Sequence, residues 1–215
     1  MFPDLPTLIA RIFVLVTAFS VHEFAHAWTA VSFGDDTPRV NGRLTLNPVS
    51  HLDPIGSLML LVVGFGWAKP VPVNPYTLQR RSSAALMLVS LAGPLSNFLM
   101  ALVAAIPFRL GLVSVVAAIT SPGKIFPSLD KFLYEFIFIN LILMLFNLIP
   151  LAPLDGEKVF EYFLPPSWSN IFNQIRPYGP LILLALVFLG PTIGFDLLGW
   201  ILGPPMRALL QLLVG

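Results

Sequence analysis

Residues 22–26, His-Glu-Phe-Ala-His, place two imidazoles and a carboxylate inside an otherwise apolar run of the sequence. On an α-helix, side chains four positions apart stand on one face, so His22 and His26 could offer two ring nitrogens to one metal ion. H-E-x-x-H on a helix is the pattern in which two histidines bind Zn²⁺ and the glutamate acts as a general base toward a metal-bound water. The spacing therefore predicts hydrolytic chemistry with Glu23 as the base.

A catalytic zinc site usually has three protein ligands and one open position, and the chain has no cysteine to supply a thiolate. The best candidate for the third ligand is Asp155, in the stretch Asn-Leu-Ile-Pro-Leu-Ala-Pro-Leu-Asp-Gly at 147–156. Two prolines break the helix there, and irregular backbone at membrane depth is tolerated only where it is buried in protein or lines a cavity. Asp155 could instead serve only as the N-cap of a helix beginning near Glu157.

The elements that carry these residues belong to a membrane protein. Of the 215 residues, 56% are hydrophobic and 11% are charged, and the mean hydropathy is +0.84; soluble domains usually carry about 25% charged residues. The formal net charge of +1, without blocks of like charges, indicates neither nucleic acid nor an acidic ligand as a partner. We therefore expect an all-α polytopic membrane protein in a lipid bilayer.

Apolar runs long enough to cross about 30 Å of hydrocarbon predict the spans. The runs lie at residues 8–33, 82–108, 136–154 and from Pro177 to about 189, and a last hydrophobic helix at about 195–214 could cross, insert partly or lie at the interface. We expect one membrane domain over 1–215. It would have a three-span catalytic core at about 7–160 and C-terminal hydrophobic helices at about 177–215.

The connection between the first two spans predicts two further elements. An Asn-Gly turn between short β-type stretches predicts a small β-hairpin at 39–47, which could receive an unwound substrate strand by β-addition. Residues 55–67 are apolar but too short to span, which favours a re-entrant or interfacial segment. His51, also in this connection, could be a substitute metal ligand, but a histidine that holds a turn is the favoured interpretation.

Basic residues are concentrated in the same connection, and Lys and Arg in short loops favour the cytoplasmic side. They are Arg39, Arg43, Lys69, Arg80 and Arg81. The first and third spans would then both run inward. This orientation brings His26 and the 147–156 stretch to similar depth, with the active site toward the cytoplasmic side.

Three motifs together resemble the site-2 protease family of intramembrane zinc metalloproteases. They are the His-Glu-x-x-His at 22–26, the Ala-Gly-Pro-Leu-Ser-Asn at 92–97 and the Leu-Asp-Gly stretch at 147–156, and the likeness covers about residues 7–160. The chain looks like the compact branch without a PDZ domain, because fewer than 30 residues, 109–135, separate the second and third predicted spans.

The resemblance implies that His22, His26 and Asp155 bind zinc and that Glu23 is the base. Asn147 and Asn97 match family positions near the site, where either could hold the substrate or the developing oxyanion. Each of the two could instead be a polar contact between membrane helices.

The function implied is that of a zinc-dependent endopeptidase that cuts within or near transmembrane segments of a protein or peptide substrate. The alternatives are a catalytically silent zinc-binding membrane protein and a metal transporter. The preferred location is the plasma membrane of a prokaryote.

Overall fold

The structure of the protein, a computed structural model, describes residues 4–56, 59, 66–121 and 123–215. Long helices dominate, and short helices join them. In chain order the helices are α1 (Leu5–Ser32), α2 (Thr37–Val40), α3 (Pro75–Arg81), α4 (Ala85–Arg109), α5 (Val115–Thr120), α6 (Leu129–Asn147), α7 (Asp155–Phe163), α8 (Pro166–Ile175), α9 (Gly179–Leu184), α10 (Gly190–Thr192) and α11 (Leu197–Val214). A 3₁₀ turn at Arg176–Tyr178 and a π-helical turn at Ala185–Leu189 connect α8 to α10, so Ser167–Thr192 is one helical run.

Helix α1 carries the His-Glu-x-x-His motif, and local interactions set both of its ends. The Thr7 N–H donates to the Asp4 carboxylate at 2.9 Å, and Pro6 lies in the first turn, where no N–H is needed. The helix ends at Ser32, shortly before Gly34, whose φ of +87° is in the left-handed region that glycine adopts readily. Its 28 residues extend for about 42 Å, and the motif lies in the second half.

Four helical segments of the described chain are long and apolar enough to cross a membrane: Leu5–Ser32, Ala85–Arg109, Ser167–Thr192 and Leu197–Val214. The protein is therefore an integral multi-pass membrane protein, as its composition predicts. The first, second and last of these segments closely match the predicted apolar runs. The third begins well before Pro177, where the sequence predicted its start.

The predicted span at 136–154 is not among these four segments. Helix α6, which contains most of it, begins earlier, at Leu129. The charges near its start look incompatible with a span, but the Glu135 carboxylate is paired with Arg11 of α1 at 2.9 Å and with Lys131 at 3.0 Å. This neutralisation lets the helix extend toward its N-terminus. The helix ends at Asn147, just before the proline-containing stretch.

Helices α1, α4 and α6 pack against one another and form the core that positions the site. Helix α4 presents small buried residues to its neighbours, which allows close approach between membrane helices. In the largest hydrophobic cluster, the α4 residues Ala101, Ala104, Ala105 and Phe108 pack with Ile137, Leu141 and Met144 of α6 and with Met206 and Leu213 of α11.

The predicted β-hairpin at 39–47 is wrong. Thr37–Val40 forms the short helix α2 instead, and the Gly42 N–H donates to the Arg39 carbonyl at 3.0 Å. The Asn-Gly pair does form a turn, but this turn closes helix α2 and does not connect two strands. The Arg43 N–H donates back to the Pro38 carbonyl at 2.8 Å. The predicted re-entrant segment at 55–67 lies mostly outside the residues that the structure describes.

Candidate metal centre and active-site cavity

The metal motif of α1 is buried where α1 packs on α4. His22 and His26 stand one helical turn apart, with ring centroids 4.6 Å apart and ring planes at 84°. Glu23 is also buried, at 8% exposure. A carboxylate at this depth in an apolar protein is expensive unless it has a function or a partner.

The chain folds back sharply after α6, and this brings the Asp155 carboxylate against Nε2 of both histidines. Asp155 is the first residue of α7, and the N-cap position belongs to Leu154, so the Asp155 carboxylate does not cap this helix. A side chain at the next residue, Gly156, would overlap the carbonyls of Leu148 and Ile149. Glycine is therefore required for the close turn that turns Asp155 toward the site.

The described residues contain one group of three or more His, Asp or Glu side chains that could hold a metal ion: His22, His26 and Asp155. The two Nε2 atoms lie 3.0 Å apart. The Asp155 carboxylate oxygens lie 3.1 Å from Nε2 of His22 and 3.3 Å from Nε2 of His26. Tetrahedral Zn²⁺ with bonds of roughly 2.0–2.1 Å separates its ligand atoms by roughly 3.3 Å, so the three side chains fit zinc.

Hydrogen bonds behind the histidines select the tautomer that metal binding requires. Nδ1–H of His26 donates to the Val89 carbonyl at 2.7 Å, and Nδ1–H of His22 donates to Oδ1 of Asn97 at 2.6 Å. Each neutral ring then carries its lone pair on Nε2, which faces the other ring and the Asp155 carboxylate. Four electron-pair donors held this close repel one another unless a cation lies between them.

Asn97 is fully buried and does not line the cavity. Its Nδ2 donates to Oδ1 of Asn140 at 2.9 Å, and Nδ2 of Asn140 donates to the Phe136 carbonyl of the same helix at 2.9 Å. Both amides are thus used in orienting His22, and a substrate contact by Asn97 has no support from this placement. Asn140 was missed by the sequence reasoning, although a polar residue within an apolar helix is a signal that could have identified it.

Gly93 lets α4 approach the two imidazoles. A Cβ atom at this position would overlap Nε2 of both His22 and His26. Gly93, Ser90 and Asn97 lie on one face of α4, and all three are buried. This face therefore forms the wall behind the metal centre.

Glu23 has one fixed oxygen. The Val71 N–H donates to its Oε2 at 3.1 Å. Val71 belongs to an extended segment that returns over α1 before α3. Among the described residues, Oε1 of Glu23 has no hydrogen-bond partner, so this oxygen can act on a ligand in the cavity.

A cavity of about 520 Å³ opens onto these groups, within the roughly 300–1,000 Å³ of small-molecule sites. Its polar lining residues are His22, Glu23, His26, Ser90, Asn147 and Asp155. The rest of its wall is mostly apolar. Pro180, Leu183 and Leu184 of the C-terminal helical run close one side, although the sequence placed the catalytic core at 7–160.

Asn147 lines the cavity, and its Nδ2 donates to the Leu143 carbonyl of its own helix at 3.0 Å. The rest of its amide group is not used in this bond, and a contact with substrate stays a prediction. His51 lies apart from the three candidate ligands: its Nε2–H donates to the Thr45 carbonyl at 2.7 Å, which holds its own loop. This bond agrees with the favoured interpretation of His51.

The chain is similar to several known proteins. The family model described as peptidase family M50 matches residues 108–189, which include Asp155. A Bacillus subtilis protein named "Putative zinc metalloprotease YwhC" is 42% identical over 175 residues, covering 81% of this chain and 78% of that protein. "Putative zinc metalloprotease Rip2" of Mycobacterium tuberculosis is 32% identical over 206 residues, covering 92% of this chain and 74% of that protein.

A third relative, "Putative zinc metalloprotease Rip2" of Mycolicibacterium smegmatis, is 31% identical over 212 residues, covering 91% of this chain and 75% of that protein. No solved structure matches the chain. The likeness to the relatives extends over most of both chains, and the family model matches the part that carries Asp155. The chain therefore belongs to peptidase family M50, the site-2 protease family.

Proposed function

We propose that this protein is a zinc-dependent intramembrane endopeptidase that hydrolyses peptide bonds within or near transmembrane segments of other membrane proteins. The carrying observation is that His22, His26 and Asp155 converge beside Glu23 on one largely apolar cavity. Membership of peptidase family M50 supports the class of reaction. The names of the relatives support zinc as the metal.

His22 and His26 would hold the metal through Nε2, and Asp155 would hold it through a carboxylate oxygen. When bound, Zn²⁺ supplies a Lewis acid that lowers the pKa of a coordinated water toward about 7 and polarises a carbonyl oxygen. The chain contributes ligands already in the required tautomer, because Asn97 and Val89 accept the Nδ1 protons. Little reorganisation is then needed when the metal binds.

Glu23 would act as the general base and then the general acid. Its carboxylate takes a proton from the water that attacks the scissile carbonyl carbon. It returns that proton to the peptide nitrogen as the C–N bond breaks, so proton and electron-pair transfers balance. The Val71 N–H fixes Oε2, and Oε1, which has no hydrogen-bond partner in the described part of the chain, is free to make these transfers.

The cavity also constrains the form of the substrate. An α-helix is about 10–12 Å across, so a space of this size would hold roughly one turn. A transmembrane substrate would therefore enter as a short unwound segment, whose exposed amides need partners in an apolar environment. Asn147, at the cavity wall, can supply such a partner.

The same proposal includes the location. The basic residues of the connection between α1 and α4 favour a cytoplasmic side for the active-site end of α1, by the positive-inside rule. The plasma membrane of a prokaryote agrees with the bacterial relatives.

The test is purified protein in detergent, analysed for zinc content and incubated with a model transmembrane peptide. Glu23→Gln keeps the size of the side chain but removes the base, so we expect stoichiometric zinc and cleavage reduced by about 10²–10⁴-fold. Asp36→Asn, at an exposed carboxylate outside the site, is the matched control and should cleave normally. Wild-type rates from Glu23→Gln, or an intact substrate with zinc-loaded wild type, would falsify the proposal.

A further inference from the structure

Residues 67–74 form an extended segment that lies along the C-terminal half of α1. We call this segment the strap. Pro70 and Pro72 lack N–H groups and keep the strap out of a regular helix. Trp67, Pro70 and Val71 line the active-site cavity, so the strap is one of its walls.

Buried groups hold the strap at both ends. Near its start, the Lys69 N–H donates to the His51 carbonyl at 2.8 Å. At its end, the Asn74 N–H donates to Oδ2 of Asp35 at 2.6 Å. Asp35 is only 2% exposed, and its other oxygen accepts from the Thr37 N–H and hydroxyl. Ends fixed in this way leave the strap little freedom to shift along α1.

The Arg43 side chain binds the middle of the strap on the side away from Glu23. It is 5% exposed, and no carboxylate pairs with it among the described residues. Its guanidinium donates to the carbonyls of Pro70 at 3.1 Å and Lys69 at 3.4 Å, and also to the Ser50 carbonyl. A buried guanidinium satisfied by carbonyls alone is costly, so the arrangement calls for an explanation.

The Pro70 carbonyl and the Val71 N–H belong to one peptide group. The Pro70–Val71 bond is trans, as is usual for a bond to a residue other than proline, so its C=O and N–H point in opposite directions. Arg43 binds the oxygen of this group, and the hydrogen points at Oε2 of Glu23. The cation therefore fixes the plane of the peptide and strengthens the bond that its N–H donates to the carboxylate.

We propose that Arg43 is a positioning residue for Glu23, acting through the Pro70–Val71 peptide group. The inference rests on the proposed function, in which Glu23 is the base. Arg43 neither lines the cavity nor lies among the metal ligands. Its loss should therefore lower kcat while KM and zinc content stay unchanged.

The first test compares Arg43→Gln with Arg39→Gln in the zinc-loaded protein and the same peptide assay. Arg39 is in the same connection, but its side chain is 59% exposed and pairs with Asp36. We expect Arg43→Gln to lower kcat about 10-fold, the equivalent of about 1.4 kcal/mol, with KM and zinc content unchanged. Arg39→Gln should behave as wild type, and Arg43→Lys, which keeps one donor to a carbonyl, should recover part of the loss.

A double-mutant cycle separates positioning from simple loop stability. Val71→Pro removes the N–H that binds Glu23, and its neighbours Pro70 and Pro72 already favour the extended backbone that proline needs. If both residues act through one bond, adding Arg43→Gln to Val71→Pro should cost less than about 2-fold further in kcat. An equal cost in both backgrounds would overturn the proposal.

A readout independent of cleavage distinguishes failure of this inference from failure of the proposed function. Hydrogen exchange at the Val71 amide should accelerate at least 10-fold in Arg43→Gln and stay unchanged in Arg39→Gln. Unchanged exchange in Arg43→Gln would refute the role of Arg43 even in a preparation without activity. Faster exchange with no cleavage by the wild type would leave the positioning contact in place and contradict the proposed reaction.

Discussion

At the residue scale, the state of the two histidines is set by partners outside the cavity. The Val89 carbonyl can only accept a hydrogen bond, so Nδ1 of His26 must carry a proton. Asn97 could in principle present either end of its amide to His22. Its Nδ2 is committed to Asn140, whose own Nδ2 is committed to the Phe136 carbonyl, so Oδ1 of Asn97 faces the imidazole. The Phe136 carbonyl therefore orients the Asn140 amide, which in turn orients the Asn97 amide. This series of hydrogen bonds places the proton of His22 on Nδ1 and leaves Nε2 free for a metal.

Replacing Asn97 should weaken the binding of metal at His22. Asn97→Ala removes the acceptor for Nδ1–H of His22, and loss of such a partner typically costs 10–100-fold in metal affinity. Asn140→Ala acts one bond further away and should cost less. Zinc affinity measured by competition with a chelator tests both variants.

Asn147→Ala is the matched control for this measurement, because the Asn147 side chain bonds within its own helix and should leave zinc affinity unchanged. If Asn97→Ala bound zinc as tightly as Asn147→Ala, the orienting role of Asn97 would be refuted.

Spacing and chemical type are enough to propose the candidate site residues, which the structure brings together, but not the residues that orient them. His22 and His26 followed from the i, i+4 relation, and Asp155 from a carboxylate beside a broken helix. Asn140 is visible in the sequence only as a polar residue within an apolar helix, which does not reveal its partner Asn97, and Arg43 carries no local signal, because its partners are backbone carbonyls. Such contacts exist only after the helices have packed, and no local pattern encodes them.

At the scale of elements, α4 is the wall against which the metal motif is assembled. Its approach to α1 is limited by Gly93, since even a methyl group there would overlap the imidazoles. The same close packing brings the Val89 carbonyl and the Asn97 amide within hydrogen-bond distance of the two rings. The helix therefore orients both histidines along one face.

Gly93→Ala should abolish stoichiometric zinc binding, because the added Cβ must displace the ring nitrogens or push α4 away. Gly203→Ala in α11 is the matched control, because a Cβ there meets only the flexible end of Arg207, 4.0 Å away. The control variant should bind zinc at the wild-type level, because Gly203 lies in α11, outside the candidate metal centre. Metal analysis and thermal unfolding in detergent measure the two effects, and full zinc occupancy in Gly93→Ala would contradict this packing.

The sequence predicts the elements well where the length of an apolar run determines a helix. It predicts them poorly where contacts with distant residues determine the structure. Helices α1 and α4 follow from uninterrupted apolar runs. The hairpin at 39–47 failed because Asn-Gly is compatible with more than one turn, and Pro38 starts a helical turn just before it. The early start of α6 was hidden because Glu135 finds its cation on α1, more than a hundred residues away.

At the scale of the whole molecule, the C-terminal helical run completes the cavity and is fastened beside Asp155. Arg176 lies at the start of the apolar part of that run, and it pairs with Glu157 and, at 2.6 Å, with Glu161 of α7. Burial opposes ionisation of Glu161, but Arg176 and Lys158 outweigh it and lower the pKa of Glu161 below its usual 4.5. These ion pairs connect α7, which begins with Asp155, to the C-terminal helical run that closes one side of the cavity.

The distribution of basic residues over the molecule predicts its orientation. On the side of the α1–α4 connection lie Arg39, Lys69, Arg80 and Arg81. On the other side lies Lys124, while Lys131 is paired with Glu135 and Arg109 donates to the carbonyls of Leu212 and Gly215 at the end of α11. The imbalance of Lys and Arg near the helix ends favours a cytoplasmic α1–α4 connection.

The chain has no cysteine, so single introduced cysteines report this orientation without background. Arg39→Cys and Ser121→Cys place thiols at exposed positions of the two opposite connections. In intact bacterial cells, a membrane-impermeant maleimide should label only the Ser121→Cys variant, and after permeabilisation it should label both. Labelling of only the Arg39→Cys variant in intact cells would reverse the orientation. It would also place the cavity, with Glu23, nearer the outer surface, where substrates would have to be cut from the opposite side of the membrane.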